Sequence, residues 1–417
     1  MIKEKTMAQF ISIIKYVWLT IALVTIVWKG IILGWQQKAS DFNNYYTAAK
    51  LIVEKEPIHK FYDYEWYQNQ AKQMGIEAGA KFSPFPPITA YIFVPLTLWD
   101  SLTAKRIWLG INIFLLIILL FRVKKITTWS LHRSMLFISL FLLPISNCLN
   151  YGQLYLLISF LLVEVLSHAY FSKKPKLIGA IIGILTSLKY LPILFLGYVI
   201  NQQKKYTIFV SLILAIVVPS LIIYWVDPKS FNAFFQHFQS HIQGNLPEQG
   251  QYAMSFQSVD SLLNNLFVFN GSENPLPLID APYLKSIIKF SLYGGIFGLL
   301  FFFFKKEQYQ ITSRFMSVSI IGAFIILPAT ASYHLLLLLW PLLYLFKELL
   351  KVDSKKIMPV IIIVIFATLN LQAYHIPNFE QSQTVNLLLH YPRLWGVLCL
   401  FLLLNFYYLK NLYKNYG

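Results

Sequence analysis

The chain has 417 residues, 57% hydrophobic and 17% aromatic, with only 13% charged and a formal net charge of +17. Apolar runs of about 18 residues or more recur along it, which excludes an ordinary soluble domain and indicates membrane-spanning helices. The basic residues sit in short clusters between those runs, which carries topology information and excludes a nucleic-acid-binding face, while Cys148 and Cys399 support neither a disulfide framework nor a zinc site.

The first apolar run covers residues 10–34. It is long and lacks a small-residue cleavage site, so it reads as an anchor and not as a removed signal peptide. A polar segment, 35–104, follows. It opens with Asp41-Phe42-Asn43-Asn44-Tyr45-Tyr46, which fixes one carboxylate where the first span leaves the bilayer. Asp41, Tyr45, Ala48/Ala49 and Ile52 recur at helical spacing, which predicts an amphipathic helix on the membrane surface with Asp41 at its start. Asp41 can be read simply as the N-cap of that helix. The helix N-terminus would also keep its carboxylate ionised, which suits a base.

Asp63-Tyr64-Glu65 is an acid-x-acid pair of a kind able to hold a divalent ion on a phosphate-bearing substrate, although a solvated turn is the stronger reading. Phe82-Ser83-Pro84-Phe85-Pro86-Pro87 must be extended until after Pro87. Residues 86–99 are too short for a full span and read as a re-entrant or interfacial element that lines a groove for an acyl or prenyl chain.

Basic clusters at Lys3/Lys5, Arg122/Lys124/Lys125/Arg133, Lys173/Lys174/Lys176, Lys204/Lys205, Lys305/Lys306/Arg314, Lys347/Lys351/Lys355/Lys356 and Lys410/Lys414 all fall on one side if the N- and C-termini are both cytoplasmic. Of the acids, only Glu4, Glu307, Glu348 and Asp353 share that side. The positive-inside rule then orients the chain. The predicted spans are about twelve: 10–34, 105–121, 134–149, 153–171, 177–189, 190–201, 206–225, 284–304, 311–328, 333–349, 357–374 and 393–410. The outer segments are 35–104, 226–283 and 375–392. Without an internal repeat or a low-complexity tail, residues 1–417 form one integral membrane domain.

Further along, Tyr151-Gly152-Gln153 lies at the outer end of the third span. Lys189 lies at the outer tip of the short pair 177–189 and 190–201. An isolated lysine in an apolar run is expensive and usually functional, with a lipid phosphate as its natural partner. Snorkelling to the interface is the alternative. His334, in Ala331-Ser332-Tyr333-His334, starts a span on the outer side and is a candidate for a phosphate or sugar hydroxyl, with a structurally satisfied histidine as the equal alternative. His237, His241, Glu248 and Asp260 have no diagnostic spacing, and Glu164 is placed to bond within the bundle. No P-loop, dinucleotide fingerprint, zinc-protease helix or nucleophile elbow occurs.

Asp41-Phe42-x-x-Tyr45-Tyr46-x-Ala48-Ala49, Phe85-Pro86-Pro87, Tyr151-Gly152-Gln153 and Lys189-x-x-Pro192, in that order, resemble glycosyltransferase family 87 over roughly residues 35–340. The resemblance implies an all-α, polytopic GT-C-like bundle with outer-face juxtamembrane helices. It implies an inverting hexosyltransferase of a bacterial inner (plasma) membrane, working on the outer face with a polyprenyl-phosphate sugar donor, mannose above all. The acceptor would be an envelope glycan or glycolipid. Asp41 becomes the general base, and Lys189 and His334 the donor-phosphate ligands. Tyr45, Tyr46, Phe85, Gln153 and Gln257 become groove residues. No cofactor or metal is expected, which weighs against a cation at Asp63/Glu65. The chain departs from the family where its Asn-Gln-Ser element reads Phe256-Gln257-Ser258, and where its Trp-x-His-His pattern is reduced to Tyr333-His334. The alternative is a multi-span transporter or flippase of lipid-linked sugars, but such proteins usually carry repeats and broken midplane helices.

Overall fold

The computed structural model describes residues 2–38, 40–76, 80–82, 84–170, 174–199, 204–243, 250–350, 358–373, 376 and 383–414, without the side chains of 2–11, 168–170, 383–384 and 410–414. Ser83, Glu248, Asp353, residues 375 and 377–382, and the basic side chains at Lys3, Lys5, Lys173, Lys351, Lys355, Lys356, Lys410 and Lys414 lie outside the described residues.

Among the described residues the regular structure is helical, apart from an isolated antiparallel bridge between Asn270 and Asn274. α1 (Ile2–Thr25) continues through a π-helical stretch, Ile26–Ile32, into α2 (Leu33–Gln36). α3 (Phe42–Val53), a 3-10 turn at Ile58–Tyr62 and α4 (Tyr64–Gln73) build the segment 35–104, whose last part holds a 3-10 helix, Pro87–Leu98. Next come α5 (Ser101–Thr127), α6 (Leu131–Ser139), α7 (Leu142–Tyr151), α8 (Tyr155–Tyr170), α9 (Pro175–Leu188), a 3-10 helix at Leu191–Tyr198 and α10 (Lys205–Val226). The segment 226–283 holds α11 (Lys229–Gln243) and α12 (Val259–Phe267). After it come α13 (Pro282–Lys306), α14 (Ser313–Ile326), a 3-10 helix at Ser332–Leu338, α15 (Leu339–Leu349), α16 (Met358–Asn370), α17 (Gln383–Leu389) and α18 (Pro392–Lys414).

The helix ends follow from local sequence. Asp63 caps α4 through Trp66 N–H, and Asp100 caps α5 through Leu102 and Thr103 N–H. Bonds from Thr103, side chain first and then backbone, hold the Asp100 carboxyl below the usual carboxylate range. Ser130, Ser258 and Thr312 cap α6, α12 and α14. Prolines open α9 and α13, where a missing N–H does no harm.

Five stretches are long and apolar enough to cross a membrane: Ser12–Gln36, Ser101–Thr127, Lys205–Val226, Pro282–Lys306 and Pro392–Leu409. The pair α6 and α7, bent by 72°, makes up to a sixth. The long helices leave large apolar side chains such as Leu23, Ile222, Trp225 and Phe290 exposed, as lipid contact requires and water would not favour. One core of buried apolar side chains runs from Phe42 to Tyr408. The fold is a polytopic helical membrane fold. Each of the twelve predicted runs holds helix, but several are short. α8, α9, α14 and α16 have 16, 14, 14 and 13 residues, and 190–201 is only an eight-residue 3-10 helix. Bends and 3-10 geometry divide apolar runs that are continuous in sequence.

One expectation changes. α3 does not lie on the surface with a single buried face, because every residue from Phe42 to Ala49 is buried. The 3-10 helix Pro87–Leu98 and α5 cover it, with Phe93 against both Phe42 and Tyr45, and Trp108 behind Phe93.

Candidate active site

The ends of α2 and α7 bring Asp41 and Gln153 together. Gly30 and Gly34 let the helix ending at Gln36 approach α7 closely, since a Cβ on Gly34 would sit 3.1 Å from the Asn150 Cα. Two cations from α5 fasten the same helix end: Lys105 Nζ donates to the Gln37 carbonyl at 2.7 Å and Arg106 Nε to the Trp35 carbonyl at 3.2 Å. Positive charge on the last carbonyls of a helix is favourable. Gly152 ends α7 in the left-handed conformation, φ +67°, and a Cβ there would lie 2.8 Å from the Cβ of Phe42. Only glycine fits, and the turn it makes sends Gln153 inward. Trp108 Nε1 donates to the Gly152 carbonyl at 3.0 Å and holds that turn.

Asp41 sits at the N-cap position of α3, but its side chain caps nothing. Its Oδ2 instead accepts from Gln153 Nε2 at 2.6 Å and from the Tyr333 hydroxyl at 3.1 Å. Its Oδ1 has no partner among the described residues, and the side chain is only half-buried. The bland reading of Asp41 as a helix cap therefore fails. Tyr45 O–H donates to Gln153 Oε1 at 2.6 Å, so the amide is oriented at both ends. Burial raises the Tyr45 phenol well above its usual range, with Tyr155, Asp41 and Cys148 adding to the effect, so it remains a donor.

Lys189 follows the last residue of α9 directly. The Thr89 hydroxyl donates to the Leu188 carbonyl at 2.8 Å and ties that helix end to the 3-10 helix Pro87–Leu98. The ammonium lies 3.5 Å from the centroid of the Phe85 ring, 5.6 Å from Tyr45 and 5.7 Å from Tyr155. Lys189 is 7% exposed and, among the described residues, has no hydrogen bond or ion pair. Snorkelling does not describe it: the head group is enclosed by aromatic faces, which attract a cation but do not neutralise it. Asp41 is near enough for its charge to be felt at Lys189, yet the two form no ion pair.

His334 Nδ1 accepts from Ala331 N–H at 3.1 Å, which places the proton on Nε2. Its ring packs on Tyr155 and Tyr333 at 4.7 and 4.9 Å. The Ser332 and Leu336 ends of its 3-10 helix are bonded to Asn147 of α7 and Ser159 of α8. Asp41, Tyr45, Phe85, Gln153, Lys189 and His334 thus share one neighbourhood. Tyr46 points elsewhere, its hydroxyl donating to the Trp99 carbonyl at 2.8 Å. Gln257 is 2% exposed and in the left-handed region, φ +48°. It donates to the Met254 and His390 carbonyls and accepts from Arg393 N–H, which makes a junction between the segment 226–283 and the start of α18.

Four other acids have structural partners. Glu164 pairs with Arg122, Asp260 with Lys289 at 2.7 Å, and Asp227 with His59 at 2.9 Å. Asp63 is a helix cap. Among the described residues no group of three or more His, Cys, Asp or Glu is placed to hold a metal. Sequence reasoning missed Tyr333 as a partner of Asp41 and Tyr155 as a wall of the Lys189 site. Neither has a local signal, since each contact joins segments far apart in the chain.

Set side by side, the half-free carboxylate, the enclosed ammonium and the ring N–H can accept a proton from one group while neutralising an anion on another. The profile of glycosyltransferase family 87 matches residues 84–328. No curated protein and no solved structure matches the chain. The matched segment contains Phe85, Gln153, Lys189 and Gln257, whereas Asp41, Tyr45 and Tyr46 precede it and His334 follows it. More than half of the chain is covered, and the chain belongs to glycosyltransferase family 87.

Proposed function

We propose that this family 87 glycosyltransferase moves a hexose, mannose in the first instance, from a polyprenyl-phosphate sugar to an envelope glycan or glycolipid on the outer face of a bacterial plasma membrane. In the accompanying topology about twelve helical segments cross or enter the bilayer, with both termini cytoplasmic. Asp41, Lys189 and His334 then lie at the outer surface.

The transfer is a direct displacement. The acceptor hydroxyl oxygen attacks the anomeric carbon, and the bond from that carbon to the phosphate oxygen breaks. The polyprenyl phosphate leaves with the electron pair, and configuration inverts. Asp41 Oδ1 takes the hydroxyl proton, while Gln153 and Tyr333 hold Oδ2 and so aim the carboxylate. Lys189 receives the phosphate charge, and the Nε2–H of His334 adds a donor. One observation carries this reading: a carboxylate and a buried ammonium share a neighbourhood without neutralising each other, which suits a substrate that brings a hydroxyl to one and a phosphate to the other.

The test is transfer of labelled mannose from polyprenyl-phosphate-mannose to envelope extract by the purified protein. Labelled product is expected with wild type and not with Asp41→Ala. Equal product from both would remove Asp41 as the base. Product from a nucleotide sugar but not from the lipid donor would overturn the donor class.

A further inference from the structure

Lys15 lies inside the apolar stretch Ser12–Gln36 and takes no part in the chemistry above. It borders a groove of about 920 Å³ enclosed by α1, α6, α16 and the end of α15. The groove has a direction. At the level where the Tyr16 and His132 rings meet at 5.0 Å, its wall carries Lys15, His132 and Arg133. Deeper in, where Trp18 and Phe366 meet at 5.1 Å, the wall is apolar. Trp18 Nε1 is satisfied by Ser139 Oγ at 2.7 Å, so the indole needs no ligand to bond it. Arg133 stands over the Trp129 ring at 5.5 Å. Among the described residues no acid lines the groove, and neither Lys15 nor Arg133 has an ion pair.

A mouth lined by Lys15, His132 and Arg133 above an apolar interior has the shape and charge of a phospholipid turned on end. We propose that this groove is a structural site for one anionic glycerophospholipid, its phosphate at Lys15, His132 and Arg133 and its acyl chains along Trp18 and Phe366. An unpaired cation at membrane depth is unfavourable, and an anionic headgroup relieves it. A zwitterionic headgroup brings its own cation to a mouth that already has a surplus. The site is separate from the transfer chemistry. Lys15 and Gln36 are on one continuous helix, and 21 residues of rise place them roughly 30 Å apart. The Asp41 cluster is at the far end, so the lipid here is not the sugar donor in its reacting position.

The test uses the delipidated full chain in detergent, titrated with phosphatidylglycerol or with phosphatidylcholine of the same acyl chains and read by native mass spectrometry. One phosphatidylglycerol should be retained in preference. Lys15→Gln and Arg133→Gln should each weaken that retention roughly fivefold, and Lys176→Gln, in a different basic patch, should leave it unchanged. Thermal unfolding with and without phosphatidylglycerol gives a second readout: wild type should gain stability with the lipid, and the two groove variants should gain less. Equal retention of both lipids by wild type would overturn the proposal. So would an undiminished preference in both variants, which would reduce Lys15 to a snorkelling side chain. Displacement by glycerol phosphate alone at matched concentration would make it a plain anion site and overturn the lipid assignment.

Discussion

Two polar clusters, around Gln257 and around Asp41, differ in what they leave unsatisfied. Around Gln257 every amide atom is used: Nε2 reaches the Met254 and His390 carbonyls and Oε1 takes Arg393 N–H. Thr330 then bonds back to the Phe256 carbonyl and ties the junction to the chain leading to His334. Around Asp41 the bonding stops half-way. Oδ2 is held twice, Oδ1 is not, and Lys189 faces rings and no anion. A saturated cluster is a clasp, and an oriented but incomplete one has room for a ligand. The sequence suggested groove residues in both places, and their hydrogen bonding separates them.

The comparison predicts losses of different kinds. Asp41→Asn keeps the shape but removes the base, and turnover should fall about 10³-fold while the unfolding temperature holds. Turnover close to wild type would make the two clusters alike. Gln257→Ala should do the reverse. Its truncation strands the Arg393 N–H and the carbonyls it served, for about 3 kcal/mol of stability, with little change in turnover per folded molecule. A rate loss without destabilisation would move Gln257 into the site.

Lys189→Met preserves the packing against Phe85 but removes the charge, so donor binding should weaken roughly tenfold to a hundredfold. Titration of the variant with lipid-phosphate donor checks this, and unchanged affinity would return Lys189 to a packing role. Tyr333→Phe deletes the longer of the two bonds on Oδ2, and a severalfold fall in turnover should result, smaller than that of Gln153→Ala, which frees Asp41 and Tyr45 together. The smallest effect belongs to Asp63. Asp63→Ala should lower stability by about 1 kcal/mol through the lost cap and leave the rate alone, and chelation of divalent ions should leave it alone as well.

Much of the site was legible because its parts are fixed by local chemistry. The start of α3 at Asp41 followed from a polar break after an apolar run. The prolines around Phe85 marked an extended segment and Lys189 stood out as the one cation in its apolar run, while Phe85 as a groove residue entered through the family resemblance. Tyr151-Gly152-Gln153 stood at the end of a predicted span and entered through the same resemblance, and the left-handed turn at Gly152 came from the structure. What the sequence hid was long-range. Tyr333 meets Asp41 across 292 residues, and no periodicity carries that pairing. The burial of α3 was hidden for the same reason, since Phe93 and Trp108 cover it from outside the helix. The break at Lys189 between 177–189 and 190–201 was legible, but hydropathy does not record the 3-10 geometry that follows it or the 3-10 helix that carries His334. These features place the two side chains where the apolar helices end.

The most direct test of Asp41 as base separates binding from transfer in a single variant. Purified Asp41→Asn is titrated with polyprenyl-phosphate-mannose and then assayed for label transfer in a single turnover. The account predicts donor affinity near that of wild type and no transfer within the time wild type needs to finish. Transfer at the wild-type rate, or donor affinity lost along with transfer, would contradict it.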